Sequence, residues 1–220
     1  MDIKSGDYSA RDFLLRVETR AFPLQSAAEF AFSTDCRRGD HELNPDFLHS
    51  GPAGAQLRPA SVLIGVVDHG DVATVLLTQR AAHLSAHAGQ ISFPGGRVDP
   101  GDETAIDTAM REAHEEIGLS PDQVTPLGLL DPYQTRTGFR ILPVLATVSP
   151  DLRLKADERE VAEIFEVPLE FLMTPANHQR YSVKYEGKPR HFYAMPYGER
   201  YIWGATAGIL RVMYERLYAE

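Results

Sequence analysis

Two apolar runs near the middle of the chain constrain its fold more than any other feature. The runs are SVLIGVV, residues 61–67, and ATVLLTQ, residues 73–79, and a short polar loop with turn-forming residues joins them. Neither run shows the strict apolar–polar alternation of a sheet with one face in water, which indicates strands that are covered on both faces. The sequence therefore predicts an α/β protein in which helices pack on both sides of a sheet.

The other elements follow from similar patterns. A helix is expected from Ser9, a third strand in GQISFPGG, and a hairpin centred on residues 186–188. Pro168 should begin a helix after the apolar segment 160–168. Strands are expected within residues 124–135 and 140–148, and a helix should close the chain within residues 200–220. We expect residues 1–58 to form a helix-and-loop arm that packs on a domain made of residues 59–220.

The segment Gly95–Leu119, GGRVDPGDETAIDTAMREAHEEIGL, combines a glycine turn, an acidic loop and an amphipathic helix. Glu112, Glu115 and Glu116 are spaced i, i+3 and i+4, so their carboxylates share one side of the helix within a turn. Their mutual repulsion would be removed by a hard divalent cation such as Mg²⁺ or Mn²⁺. A solvated acidic helix face is the alternative interpretation.

The opposite side of this helix has the pattern of a core face. Its apolar residues recur at the helical period: Ile106, Ala109, Met110, Ala113 and Ile117. Asp102 is a candidate N-cap, and Gly118 stands where a helix-ending glycine is expected. A helix packed on one side and acidic on the other can hold its carboxylates rigidly.

These residues carry a family resemblance. The sequence REAHEEIGL, residues 111–119, resembles the R-E-U-x-E-E-x-G-U half of the Nudix box, in which U is aliphatic. The glycine half departs slightly: the box glutamate falls on Glu103, but the box glycine falls on Arg97, so the turn Gly95–Gly96 is one residue further away than usual. The resemblance implies a Nudix-type α/β/α sandwich with a mixed sheet.

The longer loop and the residues before it resemble the coenzyme A pyrophosphatase branch of that superfamily. The branch signature is similar to L-L-T-x-R-S/A-x3-R-x3-G-x3-F-P-G-G, and here LLTQRA, residues 76–81, is followed by Gly89 and by FPGG, residues 93–96. Ser85 stands where the branch has arginine. The resemblance implies a metal-dependent hydrolase that cleaves coenzyme A, or its acyl or oxidised forms, to adenosine 3′,5′-bisphosphate and 4′-phosphopantetheine. ADP-ribose, a dinucleotide or another nucleoside diphosphate derivative is the alternative substrate, and an idle ligand-binding domain is a second alternative.

The candidate catalytic residues are Arg111, Glu112, Glu115 and Glu116. Glu112 and Glu116 are the first choice as ligands of Mg²⁺ or Mn²⁺, with Glu115 as a third; the resemblance adds a backbone carbonyl of the glycine turn, taken as Gly95. It also implies that Arg111 orients a glutamate. Which glutamate acts as the general base stays open.

The candidate substrate-binding residues are mostly cationic: Arg80, His83, His87, Arg97 and Trp203. Arginine and protonated histidine suit a diphosphate or a nucleotide 3′-phosphate, although ordinary loop polarity also accounts for them. Trp203 would stack on adenine, line the pantetheine channel, or simply belong to the core. Glu160 and Glu163 are candidate further acidic residues near the metal, with Glu160 preferred. Arg136 and Arg140 are weaker candidates for phosphate binding.

Composition limits the alternatives. A formal charge of −9 over 220 residues argues against a nucleic-acid partner. The single cysteine, Cys36, excludes an internal disulfide and suggests a reducing compartment. With no apolar segment of membrane-spanning length and no secretory pattern at the N-terminus, we expect a cytoplasmic enzyme with a small nucleotide substrate. The sequence leaves open whether it forms a homodimer.

Overall fold

A computed structural model describes residues 8–32, 36, 38–45, 57–185 and 187–219. Its helices are α1 (Ala10–Arg20), α2 (Ala27–Phe32), α3 (Ala105–Ile117), α4 (Leu169–Met173) and α5 (Ala205–Leu217). Its strands are β1 (Arg38–Gly39), β2 (Arg58–Asp68), β3 (Ala73–Arg80), β4 (Ile91–Ser92), β5 (Gly95–Arg97), β6 (Val124–Leu129), β7 (Tyr133–Gln134), β8 (Phe139–Val148), β9 (Val161–Pro168), β10 (Gln179–Tyr185), β11 (Lys188–Tyr197) and β12 (Arg200–Trp203).

Among the described residues, β1 to β9 form one mixed sheet, and β10, β11 and β12 form a separate antiparallel one. The centre of the large sheet is the long parallel pair β2 and β8, in register from Arg58 opposite Phe139 to Val67 opposite Val148. Beyond β2, the strands β3 and β9 pair antiparallel, as do β3 and β4. The mixture of parallel and antiparallel pairs confirms the predicted sheet type.

Alternate residues of the central strands enter two apolar clusters on opposite faces of the sheet. On β2, Ile64 belongs to the cluster that contains α1, α4 and α5, whereas Leu63 belongs to the cluster that contains α3. On β8, Leu145 and Val144 divide in the same way. The unbroken apolar runs are therefore strands covered on both faces, which confirms the α/β/α arrangement.

On the edge away from β8, strand β2 has a different neighbour along each half of its length. Its end, Val66–Asp68, pairs with β3, and its first half, Ala60–Val62, pairs with β5. The chain leaves β3 at Arg80, passes through β4, and returns to β2 as the glycine strand β5. Helix α3 packs over β2 and β5. This course brings the end of β3, the glycine strand and the acidic helix together at one place.

Several elements differ from the sequence predictions. The expected third strand is split into β4 and β5, and the closing helix begins only at Ala205, because residues 200–203 pair with β11 as a strand. Within the expected arm 1–58, Arg38–Gly39 is a short strand on β7, and part of that arm lies outside the described residues. The hairpin β10–β11 and the helix after Pro168 agree with prediction.

The predicted helix α1 forms with Ser9 as its N-cap, since the Ser9 hydroxyl accepts a hydrogen bond from the Asp12 N–H at 3.1 Å. Phe13 and Val17 are buried against the sheet, and Phe22 bridges to Leu129 of β6. Across the described ranges, no helix has the length and apolar character required to cross a bilayer.

Candidate active site

Helix α3 is fixed at both ends by local hydrogen bonds. Thr104 is the N-cap: its hydroxyl accepts from the Asp107 N–H, and the Asp107 carboxylate accepts from the Thr104 N–H at 2.8 Å, which completes a capping box. Gly118, with φ +66°, ends the helix in the left-handed conformation that glycine adopts without strain. The expectation for Gly118 is confirmed, and the expectation that Asp102 caps the helix is wrong.

Asp102 instead holds the arginine of the acidic helix. Arg111 donates to Asp102 through Nε and Nη2, each at 2.9 Å, in the bidentate geometry that suits a guanidinium and a carboxylate. The Asp102 side chain is only 6% exposed and also accepts from the Thr108 hydroxyl at 2.8 Å. The hydrogen bond from Arg111 holds the pKa of Asp102 well below its usual range. Sequence spacing gave no sign of this pair, because Asp102 lies outside the helix.

The remaining donors of Arg111 face the glutamates. Its Nη1 donates to Glu112 and to Glu115, both at 3.0 Å, and Nη2 also reaches the carbonyl of Arg97 at 3.1 Å. Arg111 thus ties the acidic loop, the glycine strand and two glutamates together. Glu115 is the most exposed of the three glutamates, with 58% of its side chain accessible.

Glu116 is the buried member of the group, with only 4% of the residue exposed. The Gly95 N–H donates to its Oε2 at 3.2 Å, and Arg80 Nη1 lies 3.8 Å from its Oε1. Burial raises the pKa of Glu116 to about 7, and the neighbouring Glu112 adds to the rise while Gly95 and Arg80 oppose it. A carboxylate held in this way lacks a full counter-charge.

Glu112 lies one helical turn away from Glu116 and against the glycine strand. It is half-buried, and burial raises its pKa although Arg111 opposes the rise. A Cβ at Gly96 would lie 2.3 Å from the Glu112 carboxyl carbon, so only glycine leaves space for the carboxylate there. At Gly95, with φ +154°, a Cβ would lie 2.4 Å from the Ser61 carbonyl oxygen. The glycine pair therefore permits close approach of the strand and the helix.

We expect Gly96→Ala to lower kcat/KM at least about tenfold, because the new methyl group must displace the Glu112 carboxylate. The displaced atoms are the end of a flexible side chain, so the free energy of unfolding should change by less than about 1 kcal/mol. The matched control is Gly101→Ala, at a position where an added Cβ meets nothing within 4 Å. Equal activity of the two variants would show that the close approach of Gly96 to Glu112 has no functional role.

Arg80 ends β3 beside Glu116, and the loop that follows it is exposed. The Arg80 N–H donates to the Gln90 carbonyl at 2.9 Å, which closes the loop 81–90 at its base. His83 bonds the Arg159 carbonyl at 3.1 Å, and His87, with φ +58°, bonds Gln90 at 2.8 Å. Of these three predicted residues, the structure brings only Arg80 into contact with the glutamates.

The two further acidic candidates are in different surroundings. Glu160 is an electrostatic neighbour of both Glu112 and Glu116 and raises the pKa of each. Its carbonyl accepts from the Ala81 N–H at 2.8 Å, next to Arg80. Glu163 instead pairs with Arg200.

Three of the remaining predicted residues have side chains in contact with aromatic rings. Trp203 is half-buried in the small sheet, edge-on to Phe192 with ring centroids 5.5 Å apart. Arg97 is exposed, and its guanidinium lies over the ring of Phe139. The Arg136 guanidinium lies over the ring of Tyr185 at 4.4 Å.

In the part of the chain that the structure describes, no three His, Cys, Asp or Glu side chains already converge as a metal site. Arg111 holds Glu112 through Oε1, which leaves the second oxygen of that carboxylate available. Gly95 holds Glu116 through Oε2, and Oε1 of Glu116 faces Arg80 at 3.8 Å. The donor set nevertheless fits a hard divalent cation: two carboxylates lie one turn apart, one of them is buried without a full counter-charge, and the backbone of a glycine strand approaches them closely.

A family model for the NUDIX domain matches residues 57–186, more than half of the chain. The chain belongs to the Nudix family. The uncharacterized Nudix hydrolase NudL of Enterobacter sp. (strain 638) is 40% identical over 154 residues, which cover 70% of this chain and 80% of that protein. NudL of Escherichia coli (strain K12) has the same identity and coverage. Among solved structures, the Nudix hydrolase RenU of M. smegmatis is 28% identical with a TM-score of 0.44, covering 52% of this chain and 72% of that one.

The protein is therefore a Nudix hydrolase, a class of enzyme that acts on phosphorus-containing anhydrides. Nudix enzymes act on small nucleotide substrates and generally use divalent metal ions. The segment that resembles the Nudix box, Gly95–Leu119, is the one that the fold assembles against β2 and beside the end of β3.

Proposed function

We propose that the protein hydrolyses the diphosphate bond of coenzyme A, or of its acyl or oxidised derivatives. The products would be adenosine 3′,5′-bisphosphate and 4′-phosphopantetheine or its acylated form. Hydrolysis adds water across the P–O–P bridge: the water oxygen bonds to one phosphorus, and the bridging oxygen leaves with the other phosphate.

One observation carries this proposal: both halves of the segment that resembles the coenzyme A branch line the candidate active site. The first half ends at Arg80, beside Glu116, and the second half enters β5, where the Gly95 N–H donates to Glu116. The halves also pair with each other, since Thr78 lies opposite Ser92 and Gln79 opposite Ile91. A segment typical of enzymes that act on one substrate class thus contacts the buried Glu116 carboxylate through Arg80 and Gly95.

We assign the divalent ion, Mg²⁺ or Mn²⁺, to Glu112 and Glu116, with Glu115 and the Gly95 carbonyl as further ligands. When bound, such an ion neutralises diphosphate charge and lowers the pKa of water. The protein's own residues would do the rest. Arg80 would bind a diphosphate oxygen from the end of β3, and Arg111, anchored on Asp102, would keep Glu112 in position. The proton of the attacking water would pass to one of the clustered carboxylates.

The test is product analysis with a small substrate panel. Purified protein with Mg²⁺ or Mn²⁺ is incubated with coenzyme A, dephospho-coenzyme A, ADP-ribose and NADH, each with a chelator control, and the products are identified by mass spectrometry. We expect chelator-sensitive release of adenosine 3′,5′-bisphosphate, with a higher kcat/KM for coenzyme A than for the other substrates. Cleavage of only the other substrates would keep the Nudix chemistry and refute the assignment of coenzyme A.

A further inference from the structure

Two arginines, one of them on strand β5, lie over the same aromatic ring. The Arg58 guanidinium carbon lies 3.9 Å from the centre of the Phe139 ring, and that of Arg97 lies 5.3 Å from the same centre. Both arginines are exposed. Arg58 is held in place, because its Nη2 donates to the Thr137 carbonyl at 2.6 Å and its N–H donates to the Gly138 carbonyl at 2.9 Å. The ring and the turn before it thus fix one guanidinium, and a second guanidinium lies over the same ring.

In the part of the chain that the structure describes, these two arginines have no carboxylate partner, whereas most other arginines have one. Within the described ranges, neither Arg58 nor Arg97 forms an ion pair with a carboxylate. Arginines elsewhere do so in the same structure: Arg16, Arg38, Arg80, Arg111, Arg159, Arg190, Arg200, Arg211 and Arg216. The chain has 31 acidic residues against 22 basic ones, so carboxylates are abundant. Two exposed guanidinium groups over one ring, neither of them paired with a carboxylate, form a local cationic surface that attracts an anion.

The pair lies beside the reacting centre but does not share its position. Arg97 follows Gly96 on β5, and successive side chains of a strand point to opposite faces. A Cβ at Gly96 would point at Glu112, so Arg97 points away from helix α3, towards Phe139. Its backbone carbonyl nevertheless accepts from Arg111 at 3.1 Å. A ligand held by Arg97 would therefore lie across strand β5 from the glutamates.

We propose that Arg58 and Arg97 bind a phosphate group that the substrate carries apart from its scissile diphosphate. The inference rests on the proposed function, under which this group is the 3′-phosphate of the nucleotide. The planar guanidinium of arginine matches the geometry of phosphate oxygens, and two guanidinium groups together match the charge of a phosphate dianion. Arg136 belongs to the same turn as Thr137, and its Nε is a buried donor without an acceptor in the described structure. Arg136 thus adds a buried, unpaired donor next in sequence to Thr137, whose carbonyl holds Arg58.

The kinetic test compares coenzyme A with dephospho-coenzyme A, which differ only in the 3′-phosphate. We expect the double variant Arg58→Gln, Arg97→Gln to lose about tenfold or more in kcat/KM for coenzyme A, mainly through KM, because charge-assisted hydrogen bonds to the substrate are removed. The kcat/KM for dephospho-coenzyme A should change by less than about threefold in the same double variant. Arg153→Gln is the matched control, since Arg153 is an exposed arginine away from the subsite. An equal loss for both substrates, or no loss for either, would overturn the proposal.

A binding test separates this inference from the proposed function. Calorimetric titration measures the affinity of adenosine 3′,5′-bisphosphate and of AMP for the wild type and the double variant. We expect the wild type to prefer the bisphosphate about tenfold or more, and the double variant to lose that preference. If coenzyme A is not cleaved but this preference exists, the subsite stands and the assigned substrate falls. If coenzyme A is cleaved and no arginine-dependent preference exists, the subsite is refuted and the proposed function stands.

Discussion

Glu116→Gln is expected to lower kcat for diphosphate hydrolysis by about a thousandfold or more. Loss of a group that only hydrogen-bonds to a metal ligand typically costs about 10–100-fold, so the expected loss is larger. Glutamine keeps the shape of the side chain and an acceptor for the Gly95 N–H, but it removes the charge. Because burial raises the pKa of Glu116 to about 7, the folded state gains little from that charge. The variant should therefore keep the melting temperature of the metal-free wild type.

The control for this prediction is Glu170→Gln. Glu170 is an exposed glutamate on α4, on the opposite side of the sheet from helix α3. Single-turnover and steady-state rates are measured with saturating Mg²⁺ or Mn²⁺, and folding is followed by circular dichroism. If Glu116→Gln keeps more than about a tenth of wild-type turnover, Glu116 has no essential role in the chemistry.

Arg111→Gln should have the largest effect on stability and also reduce activity. The arginine makes five hydrogen bonds, to Asp102 (two), Glu112, Glu115 and the Arg97 carbonyl. Its removal leaves the Asp102 carboxylate, only 6% exposed, without a cation. Breaking a buried pair from one side costs about 3–5 kcal/mol, and the partial exposure of Arg111 reduces this to about 2–4 kcal/mol. For a chain of this size the melting temperature should fall by about 5–15 °C.

A double-mutant cycle with Asp102→Asn isolates the pair. We expect the double variant, Arg111→Gln with Asp102→Asn, to be more stable than the sum of the single effects implies, by about 1 kcal/mol or more. The reason is that the double variant leaves no unpaired buried charge, whereas Arg111→Gln alone does. Arg111→Gln should also lower kcat by about 10²-fold, because Arg111 no longer holds the Glu112 carboxylate in position. Additive stability effects would mean that Asp102 and Arg111 do not act as a pair.

Local patterns predicted helix α3 well. The apolar positions at helical spacing are the packed ones: Ala109, Ala113 and Ile117 are buried, and Ile106 and Met110 pack partly against the same cluster. Gly118 ends the helix as its spacing predicted. These features depend on neighbours within one or two turns, which a sequence displays directly.

Features that depend on distant pairing were not visible. Asp102 has the residue type and position of an N-cap, but a bidentate bond to Arg111 competes for it, and Thr104 takes the cap. Glu116 is buried because one half of β2 pairs with β3 and the other half pairs with β5, which brings these strands together beside helix α3. Residues 200–203 became a strand because β11 offers a partner edge. In each case a tertiary contact overrode the local preference.

A Mn²⁺ titration followed by electron paramagnetic resonance tests the central claim most directly, because free Mn²⁺ gives a signal that broadens on binding. The wild type, Glu116→Gln and Glu170→Gln are titrated in parallel without substrate. If Glu112 and Glu116 hold the catalytic ion, Mn²⁺ affinity should fall at least about tenfold in Glu116→Gln and stay unchanged in Glu170→Gln. Equal Mn²⁺ affinity in all three proteins would contradict the assignment of the metal to this helix.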